Sequence, residues 1–330
     1  MPRRTFALLA VLLFMAVLVG CTRSTQDALT EVTVSEVTHS VFYAPQYAAI
    51  ALGYFEEEGL EITLQNGGGA DNVMTAVLSG QADIGFAGPE ACIYVYNEGK
   101  TDYARVFAQV TKRDGSFIVG RSPDTDFTYA DFENAHVLGG RKGGMPYMTL
   151  QYVVDHSDAD PAAVVLDTSI DFDLMVPAFT AGTGDYVTVF EPTASMLEQE
   201  GKGYILTSVG QDSGEIPYTA YFALGSYLEE NADTVQRFTN ALTRALQWVS
   251  QTDAAEIAQV VAPFFPDSDT DLLASAIRRY QQIDAWVTDP AMTEQSFTRL
   301  QDVMTYAGEL KAHVPYTDLI DNSFARNAIS

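Results

Sequence analysis

Residues 67–91 permit few arrangements other than helices and strands alternating around a sheet. A triple glycine opens the segment and lets the backbone approach a bound molecule closely. Asp71 or Asn72 then starts a helix with its apolar residues on one face, and a short apolar strand follows. Gly88 ends that strand, and the proline after it starts a second helix. Two helix amino termini therefore follow strand ends at one sheet edge, which is where open α/β sheets bind ligands.

A close variant of this pattern recurs about a hundred residues later. The two copies read Ala76-x-x-x-Gly80-x-x-Asp83 with Pro89-x-Ala91, and Ala178-x-x-x-Gly182-x-x-Asp185 with Pro192-x-Ala194. They are offset by 102 residues up to the aspartate and by 103 at the proline. Because the surrounding helix and strand pattern also matches, the repeat predicts an α/β protein of two similarly built lobes. Two lobes whose strand ends face each other form a cleft.

The order of the predicted elements divides the chain between these lobes. We assign residues 31–117 and 222–330 to a discontinuous lobe one, and residues 118–221 to lobe two. The chain would then cross between the lobes twice, which suits a hinge that closes on a ligand.

Two helical stretches of lobe one are predicted in more detail. Pro45 starts a helix that ends at Gly59, with four inward-facing positions, Ala48, Ala51, Leu52 and Phe55. Asn231 caps a long helix with an apolar stripe formed by Val235, Phe238, Leu242, Leu246 and Val249. Further helices are expected at residues 253–262, 269–284 and 293–308.

The amino terminus has the pattern of a lipoprotein signal. A short basic region precedes an uncharged apolar run of about 14 residues, shorter than the roughly 20 that span a membrane as a helix. The run ends at Leu18-Val19-Gly20-Cys21, a lipobox. We therefore expect residues 1–21 to act as the signal, Cys21 to carry the lipid and residues 22–30 to form a tether. An uncleaved anchor helix is the alternative.

Composition restricts the partners and the chemistry of the chain. With 44 acidic and 18 basic side chains the net charge is -26, which disfavours nucleic acid and anionic lipid as partners. Cys92, the one cysteine besides Cys21, lies among apolar residues and is interpreted as a core thiol. The four histidines are scattered, without a metal-binding spacing, and no Gly-x-Ser-x-Gly elbow is present. No metal, cofactor or catalytic residue is predicted.

Three segments resemble the solute-binding proteins of ATP-binding-cassette importers, in the branch that binds sulfonates, taurine, nitrate and thiamine-pyrimidine precursors. They are Tyr43-Ala44-Pro45 with Gly53 to Leu60, the Gly67 to Glu90 stretch, and Asp321-Asn322-Ser323-Phe324. The resemblance implies the two-lobed periplasmic-binding-protein fold (type II), with a mixed sheet and flanking helices in each lobe. It also implies a monomer on the extracytoplasmic face of the membrane, with an importer permease and its ATPase as partners.

Twelve residues are candidates for contact with a solute in the cleft. Glycine loops can cradle an anion with backbone N–H groups, Arg141 can meet an anionic group, and carboxylates or aromatic rings can hold an amino-heteroaromatic ring. The candidates are Ser40, Phe42, Tyr43, Gly69, Asn72, Gly88, Glu90, Arg141, Gly144, Met145, Glu191 and Tyr218. The alternatives are plain turn glycines, a solvated Arg141-Lys142 pair, and helix caps at Glu90 and Glu191.

The aromatic and acidic candidates favour a flat, neutral or cationic heterocycle, such as a thiamine-pyrimidine precursor or thiamine. Arg141 and the glycine loops favour an alkyl sulfonate, taurine or nitrate instead. A lipid-anchored interaction protein without a transport role is a third hypothesis. An enzyme resembling the fungal thiamine-pyrimidine synthase is disfavoured, because residues 214–219 lack its cysteines and Tyr43 takes the place of its histidine.

Overall fold

A computed structural model describes residues 28–329 of the protein. The predicted signal, Cys21 and most of the predicted tether lie outside the described residues. Within residues 28–329 no helix combines the length and the apolar composition needed to cross a membrane. The first strand begins at Thr30, the last residue that was predicted for the tether.

Ten strands and fifteen α-helices make up the described part of the chain. The strands are β1 (Thr30–Glu36), β2 (Leu60–Asn66), β3 (Ile84–Ala87), β4 (Ala104–Thr111), β5 (Ser116–Gly120), β6 (His136–Leu138), β7 (Val165–Asp167), β8 (Tyr186–Phe190), β9 (Tyr204–Ser208) and β10 (Thr219–Leu224). The helices of the amino-terminal half are α1 (Ala44–Ala51), α2 (Tyr54–Glu57), α3 (Ala70–Leu78), α4 (Glu90–Asn97), α5 (Met145–Asp155) and α6 (Met175–Thr180). The remaining helices are α7 (Thr193–Gln199), α8 (Val209–Ser213), α9 (Gly225–Glu230), α10 (Ala232–Gln251), α11 (Ala254–Val261), α12 (Thr270–Gln282), α13 (Glu294–Tyr306), α14 (Tyr316–Leu319) and α15 (Ser323–Ala328).

The strands form two five-stranded mixed sheets, one in each lobe. Their orders are β2-β1-β3-β10-β4 in lobe one and β7-β6-β8-β5-β9 in lobe two. In both sheets the first three strands are parallel and the fourth is antiparallel to its neighbours. The two orders correspond strand for strand, so the predicted repeat of two similar α/β lobes is confirmed.

The repeated aspartates have the same structural role in both lobes. Asp83 Oδ2 accepts a hydrogen bond from the Thr33 N–H at 2.8 Å, and the Asp83 N–H donates to the Thr33 carbonyl at 3.0 Å. Asp185 makes the equivalent pair with His136, at 2.8 and 2.7 Å. Each aspartate therefore fixes the start of the strand that leads to the cleft, because it satisfies backbone groups that the short sheet leaves open.

The fourth strand of each sheet is the first strand after the chain has crossed from the other lobe. Residues 112–115 carry the chain from β4 to β5, and residues 214–218 carry it back to β10. These two segments lie side by side, since the Ile216 N–H donates to the Lys112 carbonyl at 2.9 Å. The crossings fall a few residues before the predicted boundaries at 117/118 and 221/222.

The helix predicted from Pro45 to Gly59 is wrong as a single element. Gly53 adopts a left-handed conformation, with φ of 73°, and separates α1 from α2. Ala51, predicted to face inward, is the last residue of α1 and is exposed. Asn231 holds the predicted capping position of the long helix α10. Its side chain, however, donates to the Tyr227 carbonyl in the preceding helix and makes no capping hydrogen bond to α10.

The apolar stripe predicted on α10 is confirmed as the centre of the lobe-one core. All five of its residues are buried, and Phe238 is 1% exposed. The Phe238 ring contacts the rings of Phe55, Phe107 and Tyr221 at centroid distances of 4.9, 6.0 and 5.0 Å. A helix from the second half of the chain thereby holds β4 and β10 to the amino-terminal helices.

We expect Phe238→Ala to lower the free energy of unfolding by about 3–5 kcal/mol, because it leaves a cavity among three aromatic rings. Urea unfolding monitored by circular dichroism measures the change. Gln247→Ala on the exposed face of the same helix is the matched control and should change stability by less than about 0.5 kcal/mol. Equal losses in the two variants would contradict the assignment of this core.

Candidate ligand-binding cleft

The two lobes enclose a cleft of about 580 Å³, including its open mouth. Its walls combine apolar and aromatic side chains with one buried carboxyl group and several glycines. The lining residues are Val37, Thr38, Tyr43, Gly69, Ala70, Gly88, Glu90, Arg141, Gly144, Met145, Pro146, Phe172, Phe190, Tyr218 and Thr219.

Most of the sequence-predicted candidates come together in this cleft. Lobe one contributes the amino termini of α3 and α4, and lobe two contributes the amino terminus of α5. The candidates that line the cleft are Tyr43, Gly69, Gly88, Glu90, Arg141, Gly144, Met145 and Tyr218. Helix amino termini thus meet at the cleft from both lobes, but the lobe-two helix is α5, whereas α7, which follows the second copy of the repeat, begins outside the cleft wall.

Four candidates lie outside the cleft wall. Asn72 is exposed and its side chain donates to the Gly67 carbonyl at 2.8 Å, which stabilises the glycine turn. Phe42 is fully buried behind the wall, where its ring contacts those of Tyr43 and Tyr218. Ser40 Oγ donates to the Glu191 carbonyl across the lobes at 2.5 Å.

Glu191 occupies a separate buried site at the start of α7. Its carboxylate accepts the Ser195 N–H at 2.9 Å and the Ser195 hydroxyl at 2.8 Å, and it pairs with Arg279 at 2.6 Å. The Glu191 N–H donates to the Tyr280 hydroxyl at 2.9 Å. Since Arg279 and Tyr280 belong to α12, these contacts tie lobe two to the carboxyl-terminal helices, and they match the capping alternative for Glu191.

Glu90 is the polar centre of the cleft. Its side chain is 3% exposed, and Oε2 has no hydrogen-bond partner among the described residues. Burial raises the pKa of the Glu90 carboxyl to about 7, against backbone hydrogen bonds and the charge of Arg141, which lower it. The carboxyl lies directly over Gly88, where an added Cβ would stand 1.9 Å from Oε2. Gly88 is therefore the residue that makes room for this buried carboxyl.

Arg141 faces Glu90 from lobe two, but its side chain lies only partly inside the cleft. Its side chain is 47% exposed and lies 3.6 Å from the Asp71 carboxylate of lobe one. Both members of this pair face solvent, so its net energy is small. The guanidinium supplies positive charge at the mouth, while the buried Glu90 sets the polarity of the interior.

Aromatic rings form the rest of the wall. Tyr218 is 4% exposed and its hydroxyl has no hydrogen-bond partner among the described residues. Behind Tyr218, the Asp114 carboxyl of the first crossing is fully buried, and burial raises its pKa to about 7. Phe190, at the end of β8, lines the cleft, whereas Tyr47 and Tyr221 bond to Glu36 and Gln46 inside lobe one.

Sequence reasoning missed several lining residues. Phe172 stands in a short 3-10 turn, Phe172–Leu174, that precedes α6. Pro146 is the second residue of α5. The other missed residues are Val37, Thr38, Ala70 and Thr219. Val37, Thr38 and Thr219 flank strand ends, a position that could have identified them.

The described residues contain no group of three or more His, Cys, Asp or Glu side chains placed to hold a metal ion. Cys92 is fully buried, and burial raises its thiol pKa well above the usual value. This agrees with its interpretation as a core thiol.

We expect Glu90 to make the protein less stable as the pH rises from about 5 to 8. A carboxyl whose pKa is higher in the folded than in the unfolded chain favours folding while protonated, and this advantage is lost as the pH passes through 4.5 and then about 7. At about 1.4 kcal/mol per pKa unit the loss approaches roughly 3 kcal/mol. Asp114 acts in the same direction, so a variant is needed to isolate Glu90.

Glu90→Gln mimics the protonated carboxyl and should therefore be more stable than the parent at pH 8, with little difference at pH 5. Urea unfolding at both pH values measures this. The matched control Glu230→Gln, at an exposed position, should show no such gain. A Glu90→Gln variant that is equally destabilised at both pH values would contradict the assigned protonation.

Comparison with known proteins identifies relatives over the whole chain. The "Putative binding protein YtlA" of Bacillus subtilis (strain 168) is 40% identical over 329 residues, which cover 99% of this chain and 98% of the relative. Among solved structures, the ligand-binding component of an ABC-type import system from Staphylococcus aureus superposes with a TM-score of 0.73 at 15% identity, covering 91% of this chain and 99% of that one. The alkanesulfonate-binding protein SsuA from Xanthomonas axonopodis pv. citri gives 0.71 at 16% identity, covering 89% and 99%.

The structural neighbours establish the periplasmic-binding-protein fold that the sequence predicted. In fold the chain thus resembles binding proteins that include the ligand-binding component of an ABC-type import system, as predicted. The sequence profile of the NMT1-like family matches residues 30–262, more than half of the chain, and the protein therefore belongs to the NMT1-like family.

Proposed function

We propose that this protein captures a small heteroaromatic solute in the cleft between its lobes and delivers it to the permease of an ATP-binding-cassette importer. The observation that carries the proposal is the Glu90 carboxyl, which is buried in the wall of an interlobe cleft and has an unpartnered oxygen. The protein would act as a monomer, anchored by lipid at Cys21 on the extracytoplasmic face of the membrane.

The chemistry of the cleft supports a flat ligand that donates hydrogen bonds. A buried carboxyl with a free oxygen is costly unless a donor reaches it. An amino group or a ring N–H of a heterocycle meets that need, and a cation would meet it more strongly. Tyr43, Phe172, Phe190 and Tyr218 provide ring faces for stacking around it. A thiamine-pyrimidine precursor or thiamine combines these features.

An alkyl sulfonate, taurine or nitrate is the second candidate. The amino terminus of α5, with Gly144 and Arg141, is suited to an anion, and one structural neighbour binds an alkanesulfonate. Two features weigh against it. Arg141 is half exposed and lies beside Asp71, and the buried carboxyl of Glu90 would repel an anion held in the interior once ionised.

Transport by this protein would require no chemical step. A solute that contacts both lobes binds the closed arrangement more tightly than the open one and so shifts the population towards closure. The permease would then recognise the closed form, and its ATPase would supply the energy. The two adjacent crossings at residues 112–115 and 214–218 are suited to act as the hinge.

The sign of the Glu90→Gln effect on affinity distinguishes the two ligand classes. We expect isothermal titration calorimetry to detect an aminopyrimidine precursor of thiamine, with about tenfold weaker binding in Glu90→Gln because a charge-assisted hydrogen bond is lost. Binding of alkanesulfonate, taurine or nitrate should instead become tighter when that charge is removed, and should be lost in Arg141→Gln. Glu230→Gln is the control for both.

Binding of an anion alone would overturn the heteroaromatic proposal in favour of the anion class. No binding of thiamine, its pyrimidine precursors, alkanesulfonate, taurine or nitrate would remove both classes. The result would then favour an interaction protein that uses the fold without transport.

A further inference from the structure

Helix α4 (Glu90–Asn97) faces lobe two along one side. Glu90 and Tyr94 are four residues apart, so they lie one above the other on that side. Glu90 points into the cleft, whereas Tyr94 is absent from the cleft wall and lies just beyond it. The two residues contact the same short segment of lobe two, residues 143–145.

The Tyr94 hydroxyl donates a hydrogen bond to the Gly143 carbonyl at 2.9 Å and lies 3.8 Å from Met148 Sδ. The phenol is partly buried, and burial raises its pKa, so it remains a donor throughout the physiological range. Gly143 has a φ of 79°, and a Cβ added there would stand 3.5 Å from Glu309 Oε2 and 3.6 Å from Tyr94 Oη. The glycine loop of lobe two therefore lies against two lobe-one groups.

The backbone N–H of Met145, two residues further on, acts on the Glu90 carboxyl and lowers its pKa. One face of α4 thus bonds to the Gly143 carbonyl through Tyr94 and carries Glu90, which lines the cleft together with Met145. The lobe-two segment 143–145 begins α5, whose first residues, Met145 and Pro146, line the cleft.

Other contacts across the mouth of the cleft are more exposed. The Arg141 and Asp71 side chains, 3.6 Å apart, are 47% and 62% exposed, so salt and water weaken their attraction. Tyr306 of α13 contacts the Tyr152 ring of α5 at 5.6 Å, and Tyr306 is itself 48% exposed. The Tyr94 bond to Gly143 is shielded by comparison and lies next to the site.

We propose that Tyr94 is a positioning residue for the ligand site: its bond to Gly143 holds the lobe-two wall against Glu90 when the lobes are together. Tyr94 touches no part of the cleft interior, so its effect on affinity comes entirely from favouring the closed arrangement. The effect on affinity rests on the proposed function, whereas the Tyr94–Gly143 bond between the lobes does not.

Hydrogen–deuterium exchange of the ligand-free chain tests the Tyr94–Gly143 bond between the lobes. Tyr94→Phe removes only the hydroxyl, and we expect amides of residues 139–148 to exchange about three- to tenfold faster, as for loss of one hydrogen bond. Tyr96→Phe is the matched control, because its hydroxyl on the same helix bonds to Asp318 within lobe one at 2.6 Å. The control should leave residues 139–148 unchanged. Equal exchange of that segment in the two variants, or faster exchange confined to α4, would overturn the proposal.

Calorimetry with an aminopyrimidine precursor of thiamine tests the consequence for binding. Tyr94→Phe should weaken affinity about three- to tenfold, mainly through faster dissociation, while Tyr96→Phe should not. Unchanged affinity in Tyr94→Phe, with the parent protein binding the probe, would overturn the positioning role. If the parent binds none of the probes, the proposed ligand class fails, and the exchange experiment still decides whether Tyr94 ties the lobes.

Discussion

The cleft depends on one buried carboxyl group, that of Glu90. Taking it out of water favours its protonated form and leaves one oxygen without a partner. Its position is set by the absence of a side chain at Gly88 and by the start of α4, and Met145 of the opposite lobe lines the same cleft. A ligand that donates a hydrogen bond to this oxygen would remove that cost, which is the basis of the proposed function.

The two sheets explain how such a group comes to lie between two lobes. The fourth strand of each sheet, β10 in lobe one and β5 in lobe two, directly follows a crossing from the other lobe. The two crossings lie next to each other. The lobes are thereby joined by covalent connections at one side only, while α3, α4 and α5 point their amino termini at each other across the gap. The hinge side is further held by Arg279 and Tyr280 of α12, which contact Glu191.

Local sequence patterns predicted much of this architecture because they depend on near neighbours. The repeat with Asp83 and Asp185 identified two lobes, since each aspartate serves the same backbone function in its sheet. The apolar stripe of α10 identified the core helix, since helical spacing alone selects the buried face. The break at Gly53 escaped prediction because the apolar spacing continues through it, and only the left-handed conformation of the glycine reveals the turn.

The candidate site was harder to predict because the role of each residue depends on side chains that are far away in sequence. Glu90 and Glu191 both stand at helix starts after corresponding strands, and both are buried. Glu191 is neutralised by Arg279, which is 88 residues away in sequence, whereas the cation near Glu90 is a half-exposed arginine that already lies beside Asp71. Phe42 and Tyr43 likewise adjoin in sequence, yet one is fully buried behind the wall and the other forms it. Which carboxyl remains free to meet a solute is therefore decided by the packing of α12, a helix that closes the hinge side and never reaches the cleft wall.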